Sequence, residues 1–214
     1  VITHELGVSF DKIKITDTDT SKIANTSATA ASSGSDLNGM AAYNAVKKIK
    51  KRLIYYISNR YEVSTNQIKF KNNYIFIPDK ILPFHEIVKE AYLERIQLWD
   101  SGFYKTPKIH WDRNMARGKP FYYYSYGAAV SEVLIDTLTG EYEIKRVDIL
   151  HDVGKSLNKT IDMGQIEGGF IQGMGWLTCE ELFWGPDGAL KTHAPSTYKI
   201  PLASDRPDIF NIKI

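Results

Sequence analysis

The sequence predicts an α+β fold, with helices packed on mainly antiparallel sheets. Three observations carry this. Segments with helical apolar spacing and segments of strand character are intermingled along the chain. They do not follow the strand–helix–strand rhythm that builds an all-parallel sheet. The strand runs also come in pairs joined by short turns. Of 214 residues, 43% are hydrophobic and 24% charged, the balance of a globular body.

The elements follow in order. Residues 11–16, Asp-Lys-Ile-Lys-Ile-Thr, alternate as a half-buried strand does. Asp17 to Ser35 is rich in small polar residues, which favour side chain to backbone hydrogen bonds and make a loop. A helix is expected from about Asp36, with Ala42, Ala45, Val46, Ile49, Leu53, Tyr56 and Ile57 on one face. Ser33, Ser35 or Asp36 is placed to cap it. Lys47, Lys48, Lys50, Lys51 and Arg52 fill its other side, read as a solvated face in preference to an anion-binding patch. Gln67–Phe70 and Tyr74–Ile77 make a hairpin turning at Asn72-Asn73. A second helix opens at Pro83-Phe84, with Phe84, Ile87, Val88, Ala91 and Tyr92 as its apolar stripe.

Ser101 to Pro120 reads as irregular, punctuated by Gly102, Pro107, Gly118 and Pro120. Phe121 to Asp136 reads as a long strand. Val130 and Leu134 lie on one face and Val133 and Ile135 on the other, so burial on both sides is expected. After a turn at Thr137–Gly140 the chain returns through Glu141–Leu150. Asp162 to Leu182 reads as helix despite Gly164, Gly168, Gly169, Gly173 and Gly175, each costing about 1 kcal/mol there relative to Ala. Close approach by another backbone or by a ligand is the expected reason. Trp184 to Pro201 is loop, with a turn at Gly185–Gly188. A sub-division of the chain is expected near residues 100–120.

The composition also bounds function. The formal charge is only +2, short of a nucleic-acid surface. Cys179 is the only cysteine and reads as a small core residue. An internal disulfide is impossible, and the His and Cys spacings form no zinc site. His151-Asp152 could form an acid–base pair, but a hydrogen-bonded structural histidine is the preferred reading. No run approaches the ~18 apolar residues of a membrane span, and Val1–Glu5 does not open a signal peptide, so a cytoplasmic chain is expected.

Two segments could carry chemistry. In Thr29–Asp36 small side chains let a ligand approach the backbone. The hydroxyls of Thr29, Ser32, Ser33 and Ser35 can donate, and the following helix start favours an anion. The second is Gly164–Gly175, where Gln165 and Glu167 sit at the helix start among glycines. A capped helix start and a helix crossing at close range account for the same residues without a ligand.

Asn25–Asp36 resembles the cofactor loop of the xanthine dehydrogenase family of molybdenum hydroxylases. So do Gly102–His110, Tyr126–Val133, Val147–Gly154, Asp162–Gly175 and Ala194–Pro201, in collinear order over nearly the whole chain. The likeness is to the bacterial molybdopterin-binding subunit, and extends to aldehyde oxidases. It implies oxidative hydroxylation of a purine, hypoxanthine or xanthine, with water as the oxygen source at a molybdenum–molybdopterin cofactor. Electrons would pass through [2Fe–2S] and FAD in a partner chain to NAD⁺. It implies that Thr29, Ala30, Ala31, Ser32, Ser33 and Ser35 line the pterin, Ala31 nearest by backbone, with Gln165 bonded to it as well. The partners implied are the remainder of the molybdenum subunit and an iron–sulfur/FAD subunit, assembled as a dimer of heterodimers. The family's general base is a glutamate in a Gly-Glu-Pro-Pro motif beyond Tyr198–Pro201, and these 214 residues do not contain it. Gly140-Glu141 is followed by Tyr142 and is not that motif. The whole chain, 1–214, is therefore expected to be a fragment of the molybdopterin-binding domain of a larger subunit, inactive alone. An aldehyde oxidase-type hydroxylase and a truncated, non-catalytic binding chain are the alternatives.

Overall fold

A computed structural model describes residues 1–22, 30 and 33–214. The chain divides into two compact units, Val1–Tyr122 and Tyr123–Ile214.

The first unit is built on one long helix. A short helix α1 (Ile2–Leu6) ends at Gly7, whose φ of +62° and backbone contacts suit glycine alone: a Cβ there would lie 2.5 Å from the Lys71 nitrogen. Residues 11–16 do not form a strand. Phe10–Lys12 is a 3₁₀ turn, and Ile15 is 88% exposed. Alternation alone does not hold a strand when no neighbouring strand satisfies its backbone groups.

Helix α2 (Gly34–Tyr61) starts two residues before the expected Asp36. Ser33 holds the cap position but makes no capping bond. Its hydroxyl donates instead to the Ala30 carbonyl at 2.7 Å. The apolar face forms as the spacing requires, with Val46, Leu53 and Ile57 buried. Strands β1 (Lys69–Lys71) and β2 (Tyr74–Ile77) form the expected hairpin. Asn72 and Asn73 both take positive φ at its turn, which Asn tolerates better than most residues. Strand β3 (Lys80–Pro83) was not legible as a strand, because it is short and ends in proline. It pairs antiparallel with β2 from Tyr74↔Pro83 to Ile77↔Lys80.

Pro83 holds the N-cap position of α3 (Phe84–Leu93) without a capping bond, and the helix buries Ile87 and Ala91, while Tyr92 of the expected stripe is exposed. Ile57, Ile68, Ile75, Ile77 and Ile87 close into one core between α2, this sheet and α3. Within the stretch read as irregular, β4 (His110–Asp112) and β5 (Arg117–Lys119) make a small hairpin, too short to leave a periodic signal.

In the second unit β6 (Gly127–Ile135) and β7 (Tyr142–His151) pair antiparallel, with a register shift at Glu132/Val133. Helix α4 (Lys159–Leu177) follows, capped by Asn158, whose side chain accepts the Ile161 N–H at 3.3 Å. Strand β8 (Ile209–Lys213) returns parallel to β7. The sheet order is β6-β7-β8. The rings of Phe170 of α4 and Phe210 of β8 pack at a tilt of 51° with centroids 5.3 Å apart, tying the helix to the sheet.

The expected long strand is shortened: residues 121–126 precede β6. Its expected burial on both sides is overturned as well, since all nine residues of β6 are exposed. The apolar sequence is there, but the unit supplies no layer to cover it.

Candidate functional site

The basic face of α2 is not simply solvated. Arg52 donates to Asp100 at 2.8 Å, to the Gln97 carbonyl at 2.8 Å and to the Trp99 carbonyl at 3.0 Å. Lys48 reaches Asp100 at 3.1 Å and the Ser101 carbonyl at 2.9 Å, and Asn44 donates to the Phe103 carbonyl at 2.9 Å. Residues 97–103 are thus pinned along α2, one helical turn per anchor. Lys50 instead pairs with Glu5 of α1 at 3.2 Å. Burial works against the Glu5 charge, but the hydrogen bond and charge of Lys50, with His4, outweigh it and hold the carboxyl below its ordinary range.

Arg52 first, then Lys48, hold the Asp100 carboxyl below the ordinary carboxylate range. A group depressed in this way favours the folded state above its unfolded pKa of about 3.9, and loses that contribution as pH falls through the lower folded value. The stability difference between the wild type and Asp100→Asn should therefore shrink as pH drops below about 4. Urea midpoints of both proteins from pH 6 to pH 2 measure this, and a constant difference would remove the clamp.

At the start of α2, Ala30, Ser33 and Ser35 are described, whereas Thr29, Ala31 and Ser32 lie outside the described residues. Ser35 is exposed and Ser33 partly so. A helix start leaves N–H groups without intrahelical partners, and its dipole favours negative charge there.

Gln165 lies in the second turn of α4, exposed, with no hydrogen bond of its amide among the described residues. On a helix it shares a face with Gly168 and Gly169, three and four positions on. A Cβ added at Gly164, Gly168, Gly169 or Gly173 would meet nothing described within 4 Å. No described backbone approaches four of the five glycines. Only Gly175 is closely packed, against Glu180 and Pro201. Gly168→Ala should accordingly stabilise the 214-residue chain by about 1 kcal/mol. Its thermal midpoint should rise by about 2–4 °C, and a fall would mean that the helix face is covered. The serines belong to the first unit and Gln165 to the second.

Three other candidates are placed differently from their sequence readings. Cys179 lies past the end of α4, partly exposed, and with Met174 and Arg206 lines a cavity of about 230 Å³. It is no core residue, because the helix stops at Leu177 and turns away. His151 ends β7 opposite Gly127, with no imidazole hydrogen bond among the described residues. Asp152 accepts the Gly154 N–H at 2.8 Å and forms a turn rather than an acid–base pair. No group of three or more His, Cys, Asp or Glu able to hold a metal occurs among the described residues. Nor is any of their helices long and apolar enough to cross a membrane.

Among the described residues, the first unit offers a helix start with serine hydroxyls and the second a glycine-rich helix with an exposed amide. The family model of the molybdopterin cofactor-binding domain matches residues 1–207, and the chain belongs to that family. It is 43% identical over 214 residues to the xanthine dehydrogenase/oxidase of Felis catus, and 41% identical over 217 residues to the xanthine dehydrogenase of Dictyostelium discoideum. All of this chain is covered in both alignments, but only 15% of each relative. Among solved structures, the Cu,Mo-CO dehydrogenase superposes with a TM-score of 0.80 at 21% identity, over 100% of this chain and 26% of that one. Quinoline 2-oxidoreductase from Pseudomonas putida 86 superposes with a TM-score of 0.68 at 24% identity, over 86% of this chain and 23% of that one. At these identities the two structures bear on the fold alone, and both carry the same α+β arrangement.

Proposed function

We propose that this chain is part of the molybdenum subunit of a hydroxylase of the xanthine dehydrogenase type. The substrate is hypoxanthine or xanthine, oxidised to urate with oxygen from water. Electrons leave through [2Fe–2S] and FAD in a partner chain to NAD⁺, within a cytoplasmic dimer of heterodimers. One observation carries this reading: identity above 40% runs through all of the chain, collinear with xanthine dehydrogenases.

The residues present suit a pterin. Gln165 offers both an amide donor and an acceptor, and the glycines beside it leave room for a flat ring system at the helix surface. Thr29, Ala30, Ala31 and Ser32 have small side chains, and the family resemblance implies that they line the pterin with Ala31 nearest. The Ser33 hydroxyl is anchored on Ala30 and keeps its lone pairs for a ligand donor, while Ser35 is free to donate. The start of α2 favours the negative end of such a ligand. When bound, the molybdenum–pterin group supplies the redox and Lewis-acid chemistry. The role of this chain is to hold and orient that group; the general-base glutamate belongs to the rest of the subunit.

Ala31→Leu in the full-length subunit tests the assignment. The larger side chain takes the space the ring needs, so molybdenum should fall from about one atom per subunit to a small fraction, with xanthine-dependent NAD⁺ reduction lost in proportion. Unchanged molybdenum content would defeat the placement of the pterin. Full molybdenum in the wild type without turnover of xanthine would leave the cofactor role standing and reject the substrate.

A further inference from the structure

We infer that the free edge of β6 is completed by an extended, apolar β-strand from another part of the same, longer polypeptide. Among the described residues no strand lies beyond β6, since the sheet runs β6-β7-β8. The Tyr126 carbonyl accepts from the Asp152 N–H, and the Asp136 N–H donates to the Glu141 carbonyl, both at 2.8 Å. Bonded and non-bonded pairs alternate along an antiparallel ladder. The even-numbered residues of β6 therefore bond to β7, and the N–H groups of Ala129, Ser131, Val133 and Ile135 point to the open edge.

Nine residues span roughly 30 Å of such an edge. It has few of the devices that keep edges from pairing: no proline, no lysine, a single charge, Glu132, set opposite Arg146 on β7, and one register shift at Glu132/Val133. Both faces of β6 are apolar as well. Val130 and Leu134 are 69% and 59% exposed on one, and Val133 and Ile135 are 46% and 60% exposed on the other. Val147 and Pro207 are the large side chains fully buried in this unit, with Met174 buried to 7% exposure, a small core for 92 residues. Its cover must therefore be permanent, as in an obligate contact.

A second copy fits poorly. Joining two β6 edges would extend the sheet but leave the same apolar faces bare on both copies. A strand arriving with its own packing layer covers edge and faces together. The relatives that align along the entire chain are several times its length, and so have ample polypeptide to supply one. The inference rests on the reading of this chain as part of a larger subunit, but its test does not depend on turnover.

Hydrogen exchange resolved to single residues, on the full-length product from its native source, is the first measurement. The amides of Ala129, Ser131, Val133 and Ile135 should exchange at least about 100-fold more slowly than exposed ones, like their neighbours at 128, 130 and 134. Fast exchange at the odd positions beside slow exchange at the even ones overturns the inference. The second measurement identifies the occupant, with Ser131→Cys carrying a benzophenone-maleimide in the same full-length protein. A photoadduct to a residue of the same polypeptide outside these 214 supports it. An adduct to a second copy or to another subunit, or no adduct, overturns it. Protection in protein lacking molybdenum or xanthine turnover would separate this inference from the proposed function.

Discussion

Replacing Gly102 by Ala should lift the 97–103 segment off α2. A Cβ at this position would lie 1.9 Å from the Ala41 carbonyl oxygen and 2.7 Å from the Ala45 nitrogen. Both are backbone atoms inside a 28-residue helix, so neither can swing aside. Overpacking of this kind costs about 3 kcal/mol when the structure cannot yield. The Asp100 clamp and the Asn44–Phe103 bond sit on either side of the glycine, so they should weaken together. Amide exchange across residues 97–103 should accelerate while the core amides of β2 remain slow. A variant with wild-type exchange and an unchanged denaturation midpoint would remove the close approach.

Ile57→Ala should have an effect at least as large, by the opposite mechanism. Ile57 is 0% exposed and touches the cluster that α2, the β1–β3 sheet and α3 share. Truncation removes three carbons and leaves a hole that three separate elements would have to close. About 3–4 kcal/mol is expected for a site with so little freedom to collapse. In a chain of this length that is on the order of 10 °C in thermal midpoint. The loss should appear equally in the helical and the strand signals, because the residue belongs to all the elements it joins. A midpoint shift under about 2 °C would show that the cluster is not the core of the first unit.

Much of the fold was legible because it rests on local rules. The Val46, Leu53 and Ile57 stripe of α2, the Asn72-Asn73 turn and the proline-opened α3 each follow from spacing or backbone preference within a few residues. Other features depend on partners distant in sequence. Residues 11–16 alternate as a strand should, but find no neighbour to pair with. β3 and β8 are short and pair along the edges that β2 and β7 offer. The candidate site divides in the same way. The serines of the 29–35 loop and Gln165 stood out from residue type and from the long motifs around them. That nothing described packs against Gly164, Gly168, Gly169 and Gly173 could not be known before the surroundings of α4 were visible.

The α+β class, most helix and hairpin positions, and the likeness to a molybdopterin-binding family are written in local periodicity or in contiguous motifs and so can be read from the residues alone. The rest follows from contacts between segments distant in sequence. The basic face of α2 became a clamp for residues 97–103 because Asp100 and the carbonyls of that segment were folded against it. The two-faced apolar strand β6 was left exposed because burial depends on which layers pack around a strand, and the strand's own residues do not specify them.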